Sequence, residues 1–264
     1  MTDERAKVVE HTEIGSGYRY LVVEAPKVAA ALEPGQFVHV KVPTLEASAL
    51  RRPFSVFDAD DGKVTILYKT VGRGTAALNR VRVGEELNVL GPLGHGFRMK
   101  CDGVPLFVGG GYGVAPLHFL AKRFMAAAGL PKPVLFVGGR TKDDLLALDR
   151  FAALGVEVKI ATNDGSAGVK GLVTDPLDDM MIELKHRGEK FELFACGPDG
   201  MLRAVALRAT GSGSRGWISM DRHMVCGVGA CFACIQKLRK PDGTVFNARC
   251  CVNGPVFKAK DIVW

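Results

Sequence analysis

Short runs of β-branched and aromatic residues dominate the first hundred positions of the chain. They lie at residues 8–10, 18–23, 37–42 and 64–68. Turn-forming sequences separate these runs: Pro34-Gly35, Asp60-Asp61-Gly62 and Gly91-Pro92. Short strands at this pitch, divided by glycine and proline, are typical of a barrel. We therefore predict a β-barrel over residues 1–99, with one helix at residues 74–80.

The pattern changes near residue 100 to strands that alternate with helices. Strand-like runs lie at residues 104–108, 134–137, 156–161 and 191–195, and helical runs at 117–128, 141–154 and 201–208. This alternation predicts a parallel sheet, which binds its ligands at the carboxyl ends of the strands. We expect this α/β domain to span residues 100–212.

A glycine–serine run, residues 211–214, follows the last of these helices. Its composition is typical of a flexible linker, so we expect a loose joint there. Beyond it, residues 235–239 and 244–248 predict a hairpin around Pro241-Asp242-Gly243. A small C-terminal module over residues 213–264 completes the expected fold, a multidomain α+β protein.

Composition narrows the class of protein without setting its function. Of 264 residues, 47% are hydrophobic and 24% are charged, which is ordinary for a soluble globular protein. No apolar run approaches the length needed to cross a bilayer. The net charge of +7 is spread along the chain, without the basic block or the motif of a nucleic-acid-binding protein. We expect neither a membrane nor a nucleic acid as partner.

Five of the seven cysteines lie in the last forty residues: Cys226, Cys231, Cys234, Cys250 and Cys251. The spacing C-x4-C-x2-C with a distant further cysteine is the plant-type pattern of a [2Fe–2S] cluster. A structural zinc site would use two paired hooks, and disulfides would require export, whereas the N-terminus carries no apolar signal region. We therefore expect an iron–sulfur protein of the reducing cytoplasm. Neighbours in an extended chain point to opposite sides, so one of Cys250 and Cys251 faces the cluster.

The barrel carries two elements suited to phosphate. The first is Arg52-Pro53-Phe54-Ser55, in which the planar guanidinium suits a pyrophosphate and Ser55 can donate to a flavin ring atom. The second is Gly72-Arg73-Gly74-Thr75, which opens the predicted helix with free N–H groups. Taken alone, the first motif favours a strand with a surface arginine. Together the two elements indicate a dinucleotide such as FAD.

The α/β domain carries a glycine-rich turn directly after its first strand. Its residues are Gly109, Gly110, Gly111, Tyr112 and Gly113, followed by the predicted helix. The order of strand, glycine turn and helix suits a pyrophosphate, although the spacing differs from G-x-G-x-x-G.

The fourth strand of the same domain ends in Cys196-Gly197-Pro198. This position is at the edge of the sheet where ligands bind. These residues resemble the Cys-Gly-Pro signature that lies beside the nicotinamide ring in the ferredoxin reductase superfamily, which makes Cys196 our candidate catalytic residue and Gly197 and Pro198 cofactor-binding residues. A small buried thiol at a strand end is the alternative.

These motifs resemble the ferredoxin reductase superfamily, and the whole chain resembles the electron-transfer subunits of dihydroorotate dehydrogenase B (the PyrK family). The resemblance rests on residues 52–55, 71–75, 89–97, 195–198, 224–231 and 251–257. It implies FAD on Arg52, Pro53, Phe54, Ser55, Gly74 and Thr75, with a further contact from Leu67, Tyr68 and Lys69. It also implies that Cys251 is the fourth cluster ligand, beside Cys226, Cys231 and Cys234.

The family implies an oxidoreductase whose substrate chemistry takes place on another chain. Nicotinamide moves two electrons as hydride, a cluster moves one, and a flavin does both. In that family the partner is an FMN-containing catalytic subunit, PyrD. Two of each form a heterotetramer that oxidises dihydroorotate and reduces NAD⁺ in pyrimidine (UMP) biosynthesis. No acid, base or nucleophile constellation for a further substrate is visible in this chain.

Three alternatives stay open at this point. The first is a subunit of an NADH-dependent ferredoxin:NADP⁺ oxidoreductase or of a sulfhydrogenase, although the bifurcating type typically has Asp where this chain has Cys226. The second is a self-contained NAD(P)H-dependent reductase for an oxygenase or a free ferredoxin. The third is a non-enzymatic metal-binding scaffold. The choice between NAD and NADP also stays open, with Arg140 as the one candidate for a 2′-phosphate.

Overall fold

The N-terminal part of the chain is a closed antiparallel barrel. The computed structural model describes residues 1–42 and 50–264. The barrel strands and their two helices are β1 Thr2–Gly15, β2 Tyr18–Glu24, α1 Pro26–Ala31, β3 Phe37–Lys41, β4 Arg52–Asp60, β5 Lys63–Lys69, α2 Arg73–Leu78 and β6 Glu86–Leu93. The strands close in the order β1-β2-β5-β4-β3-β6. Alternate side chains fill the interior, among them Val8, Val38 and Val56. The predicted barrel is confirmed.

The second part is a parallel sheet flanked by helices. Its elements are β7 Val104–Gly110, α3 Val114–Ala126, β8 Val134–Gly139, α4 Leu148–Ala153, β9 Glu157–Thr162, β10 Val169–Lys170, α5 Thr174–His186, β11 Phe191–Cys196, α6 Asp199–Ser212 and β12 Arg215–Ser219. Strands β7 to β12 all pair in parallel. The carboxyl ends of β7, β8 and β11 therefore meet at one edge, as the alternation predicts.

The C-terminal part is joined to both of the others. It contains the hairpin β13 Ile235–Arg239 and β14 Val245–Arg249, then α7 Cys250–Asn253 and β15 Val256–Lys258. Strand β15 pairs antiparallel with β12 and so completes a sheet of order β10-β9-β8-β7-β11-β12-β15. One apolar cluster includes Phe37 from the barrel, Leu193 from the sheet and Leu238 from the hairpin. This shared core holds the three parts in one arrangement.

Two predicted elements are wrong. The expected helix at residues 141–154 is broken into a 3-10 turn at Lys142–Asp144 and α4, because Ala147 takes a left-handed φ of 58° between them. The expected loose joint is the end of α6, where Gly213 stops the helix with a φ of 71°. Strand β12 begins two residues later and pairs along β11.

The two adjacent cysteines are also not in an extended segment. Cys250 and Cys251 open the short helix α7, and both are buried. Side chains alternate in a strand but not in a helix, so the two cysteines need not point to opposite sides. Within the described residues, no helix is both long and apolar enough to cross a membrane.

Candidate functional site

A cleft of about 680 Å³ opens at the carboxyl ends of β7, β8 and β11. Its lining includes the predicted nicotinamide residues Gly110, Gly111, Gly113, Cys196, Gly197 and Pro198. Gly109 does not line the cleft; a Cβ there would lie 2.8 Å from the Val114 side chain, so this glycine serves the packing of the turn on α3. The other predicted residues of the two turns come together here.

The two turns approach each other at a distance that only glycine allows. A Cβ on Gly110 would lie 3.0 Å from Pro198, and one on Gly197 would lie 3.1 Å from the Gly110 amide nitrogen. A Cβ on Gly113 would overlap the Cys196 carbonyl oxygen. Backbone thus forms the floor of the cleft, which lets a pyrophosphate or a flat ring come close to the chain.

Cys196 lies at the bottom of this cleft as a neutral thiol. Burial raises the pKa of Cys196 to about 12, and the nearby charge of Asp221 adds to the effect. Burial also raises the pKa of Asp221, which accepts a hydrogen bond of 3.3 Å from the Tyr112 hydroxyl. A protonated thiol supplies an apolar contact and a weak donor rather than a base.

The rim of the cleft carries charged groups that bear on nucleotide choice. Arg140, directly after β8, pairs with Asp144 at 3.1 Å, and both line the cleft. Tyr18 lines the cleft, and the Nζ atom of Lys69 lies 4.4 Å from the centroid of its ring. Arg140 is therefore engaged by a carboxylate in this structure.

The barrel brings the two predicted FAD motifs into contact. The Arg52 guanidinium packs on Gly74 so closely that a Cβ there would overlap its Nε atom. Thr75, in the same turn, accepts hydrogen bonds from the Val71 and Gly72 amides and thereby shapes the start of α2. Arg52 and the Gly74 turn thus form one surface with a fixed positive charge, which suits a pyrophosphate.

The side chains of the remaining predicted FAD contacts lie on both faces of their strands. Phe54 and Tyr68 point into the barrel core, and the Tyr68 hydroxyl is bonded to His11 at 2.9 Å. Pro53 and Ser55 alternate with Phe54 and are partly exposed on the outer face. Leu67 is buried against the second domain. From Leu67 and Tyr68, a flavin would meet the backbone rather than the side chains.

The cluster cysteines form two pairs. The amides of Ala230 and Cys231 donate to the Cys226 sulfur at 3.3 and 3.4 Å, and the Cys226 and Cys231 thiols are neighbours. Burial raises the pKa of Cys226, but backbone N–H donors outweigh it and lower the pKa to about 6. Such donors would stabilise a thiolate ligand.

The second pair consists of Cys234 and Cys251. The Cys251 amide donates to the Cys234 sulfur at 3.4 Å, and burial together with the Cys234 thiol raises the pKa of Cys251 to about 12. Within the described residues, no three His, Cys, Asp or Glu side chains surround a single ion position. Thiols arranged in two pairs suit a binuclear cluster, in which each iron takes two ligands.

Cys250 belongs to neither thiol pair. It is fully buried in the shared apolar core, and its amide donates to the Cys234 carbonyl at 2.8 Å. The hydrogen bond to the Cys234 sulfur comes from the Cys251 amide. This geometry supports Cys251 as the fourth ligand.

Sequence reasoning missed His39. Its strand pairs with β4, which carries the predicted FAD motif, and its ring contacts the loop that begins at Cys226. His39 is fully buried on β3, and neither ring nitrogen has a hydrogen-bond partner in the described structure. Burial and the charge of Arg51 lower its pKa to about 4. The available signal was a polar residue between two core valines, at an outward position in the run Phe37–Lys41. Asp221 was missed as well, because it follows β12, a strand that was not predicted.

The residues present fit all three cofactors that the sequence implies. The glycine-floored cleft fits a nicotinamide dinucleotide, and the Arg52–Gly74 surface fits the phosphates of FAD. The paired thiols fit a binuclear cluster. The two unpaired ring nitrogens of the buried His39 also indicate that a bound group lies beside the contact of β3 with the Cys226 loop.

Family models match the three parts in order. The oxidoreductase FAD-binding domain matches residues 5–97, and the oxidoreductase NAD-binding domain matches residues 107–206. The iron–sulfur cluster binding domain of dihydroorotate dehydrogenase B matches residues 221–263.

Solved structures share the fold. A chain of the NADH-dependent reduced ferredoxin-NADP oxidoreductase is 31% identical with a TM-score of 0.83, covering 98% of this chain and 90% of that one. The ferredoxin reductase of carbazole 1,9a-dioxygenase has a TM-score of 0.65 at 23% identity, over 81% of this chain and 66% of that one. The second likeness shows the fold alone.

Curated relatives match over the full length. Proteins named dihydroorotate dehydrogenase B (NAD(+)), electron transfer subunit, from Bacillus cereus (strain Q1) and Bacillus anthracis (strain A0248) are each 39% identical over 270 residues. Each alignment covers 100% of this chain and 99% of the relative. With its barrel, its nicotinamide-type sheet and its paired cysteines, the chain belongs to the family of dihydroorotate dehydrogenase B electron transfer subunits.

Proposed function

We propose that this chain transfers electrons between the FMN site of a dihydroorotate-oxidising partner and NAD⁺, in pyrimidine biosynthesis. The observation that supports the proposal is that the nicotinamide cleft, the flavin motif and the cysteine loop adjoin one another in that order. The glycine-floored cleft lies next to the barrel rim at Tyr18 and Lys69. On the far side of the flavin motif, β3 carries His39 against the loop of Cys226. Family membership with full-length coverage supports the same role.

The cofactors would supply hydride and single-electron chemistry, with FAD able to exchange both. Residues of the chain bind and orient them. Arg52 holds a fixed charge at the pyrophosphate, and Ser55 presents its hydroxyl on the outer face of β4. Gly110, Gly113 and Gly197 admit the nicotinamide dinucleotide to the backbone. Cys196, as a neutral thiol, adds no charge beside the reacting ring.

The partner would dock on the cysteine module. Apolar side chains are exposed there, with Val228 and Phe232 in the cysteine loop and Val245 and Phe246 on β14. Phe232 is 59% exposed, and the Arg249 guanidinium lies 4.8 Å from its ring centroid. An arginine beside an aromatic ring is typical of interface anchors. We propose a heterotetramer of two chains of each kind, in the cytoplasm, and keep the domain bounds 1–99, 100–212 and 213–264.

A second candidate function is a subunit of an NADH-dependent ferredoxin–NADP oxidoreductase, favoured by the 31% identity over 98% of the chain. The two functions differ in the partner subunit that the chain requires for its physiological reaction. Under our proposal, the chain alone reduces an artificial dye with NADH but does not oxidise dihydroorotate, because the substrate site lies on the partner. Copurification from native cells identifies that partner. Recovery of a ferredoxin-reducing subunit instead of an FMN dehydrogenase would favour the second candidate.

Replacing Asp144 should relax the preference for NADH over NADPH. In dinucleotide-binding folds, an acidic residue after the second strand meets the ribose hydroxyl and repels a 2′-phosphate. Asp144 has this position and also holds Arg140. We expect Asp144→Asn to raise kcat/KM for NADPH about tenfold, which corresponds to about 1.4 kcal/mol. The measurement is dye reduction with each nucleotide.

The control for this prediction is Asp143→Asn, one position earlier and outside the cleft lining. It should leave the ratio between the two nucleotides unchanged. If Asp144→Asn alters neither nucleotide, Asp144 does not contact the ribose.

A further inference from the structure

His39 is placed between the flavin strand and the cluster loop by the register of the barrel. It lies opposite Pro53 on β4 and opposite Leu90 on β6. Its neighbours Val38 and Val40 point into the barrel core. Because side chains alternate along a strand, the His39 ring points outward, toward the C-terminal module.

The ring meets that module at Gly227, the residue after Cys226. A Cβ on Gly227 would overlap Cε1 of His39 and would lie 2.5 Å from Nε2 and 2.8 Å from Nδ1, the two nitrogens that flank that carbon. Gly227 has a φ of 69°, a conformation that glycine adopts without strain. The edge of the imidazole that carries both nitrogens therefore faces the loop that begins at Cys226.

Both nitrogens lack a hydrogen-bond partner in the described structure, and the residue is 0% exposed. An unmade hydrogen bond of a buried polar group destabilises the fold, because the group loses its water partners without replacement. A neutral imidazole carries one N–H donor. An apolar residue of similar size would pack in this place without that cost, so the arrangement indicates an acceptor that belongs to a bound group.

We propose that His39 is a positioning residue for the iron–sulfur cluster, whose ring N–H donates a hydrogen bond to a cluster sulfur or to the Cys226 thiolate. This inference deepens the proposed function and rests on its cluster site. Hydrogen bonds to the sulfurs are among the factors that set the reduction potential of such clusters. A donor stabilises the reduced, more negative form, so His39 raises the potential. It also ties the cluster loop to β3, the strand that pairs with the Pro53–Ser55 segment of β4.

The test is a redox titration of the purified holo chain and its variants, followed by the EPR signal of the reduced cluster. His39→Leu should keep the cluster but lower its midpoint potential, because the donor is lost. His39→Gln restores an N–H donor and should bring the potential back toward that of the parent. His118→Leu is the matched control, since His118 is a buried histidine of the nicotinamide domain bonded to the Phe57 carbonyl; it should leave the potential unchanged.

An unchanged cluster potential in His39→Leu overturns the inference, and so does an equal shift in His39→Gln, which would indicate packing alone. A shift of the flavin potential with an unchanged cluster also overturns it. If His39→Leu does not fold, the parent protein labelled with ¹⁵N-histidine decides the matter by pulsed EPR. A histidine nitrogen coupling to the reduced cluster, absent in His39→Gln, supports the inference, and its absence from the parent overturns it. A parent chain without any cluster would instead contradict the proposed function.

Discussion

Replacing Cys251 with serine should remove most of the visible absorbance of the cluster, whereas Cys250→Ser should keep it. The Cys251 amide and thiol both approach the Cys234 sulfur, while Cys250 packs into the apolar core. Loss of one thiolate leaves an iron with incomplete coordination. Visible spectra with iron and sulfide content, after anaerobic purification, provide the measurement.

Cys250→Ser is the matched control, because it places the same substitution one residue away in the same helix. Its cost should appear in stability, since a buried hydroxyl replaces an apolar thiol. A bleached Cys250→Ser protein beside a coloured Cys251→Ser protein would reverse the assignment of the fourth ligand.

Removing the Arg52 guanidinium should weaken FAD binding about ten- to a hundred-fold. The side chain packs on Gly74 at the start of α2, where the two phosphate motifs meet. A charge-assisted contact with a pyrophosphate is typically worth about 1.5–3 kcal/mol. The measurement is the FAD content of Arg52→Ala after extensive dialysis at micromolar protein or below.

Arg51→Ala is the control for that experiment. Arg51 precedes Arg52 in the chain but is bonded to Asp3 and to the Asn88 carbonyl. It should retain FAD like the parent protein. Equal FAD retention in the two variants would remove Arg52 from the binding site.

The sequence was sufficient to predict those elements for which the hydrophobic periodicity and the turn residues indicate the same structure. Alternation and glycine or proline turns predict the barrel and the parallel sheet, because each strand buries one or both faces in the usual pattern. The cysteine spacing predicts the iron–sulfur site because few other sites use it. The glycine turns after β7 and β11 were predicted to meet, since the carboxyl ends of parallel strands share an edge.

The sequence was misleading where composition and context conflict. Residues 211–214 have a linker composition, yet Gly211 and Ser212 continue α6 and Gly213 caps it. Local composition does not reveal that the next five residues, Arg215–Ser219, form a strand beside β11. The two adjacent cysteines form a helix because their neighbours pack into the shared core, a tertiary effect that a local argument misses.

His39 could not be assigned from the sequence for a similar reason. Its importance depends on a contact with Gly227, which is far away along the chain and joins the barrel to the C-terminal module. Asp221 likewise reaches the cleft of Cys196 only through the pairing of β12 with β11. Both residues acquire their surroundings from long-range topology.

The coupled reaction with the partner tests the central claim most directly. The measurement is NADH formation at fixed dihydroorotate, with equal amounts of this chain and its cognate FMN subunit, both fully loaded with cofactors. We predict NAD⁺-dependent dihydroorotate oxidation by the mixture and none by this chain alone. Cys231→Ser should abolish the coupled reaction and retain slow NADH-to-dye turnover, because hydride exchange at the cleft does not require the thiol pairs. A loaded mixture that forms no NADH, or a Cys231→Ser mixture as active as the parent, would contradict the account.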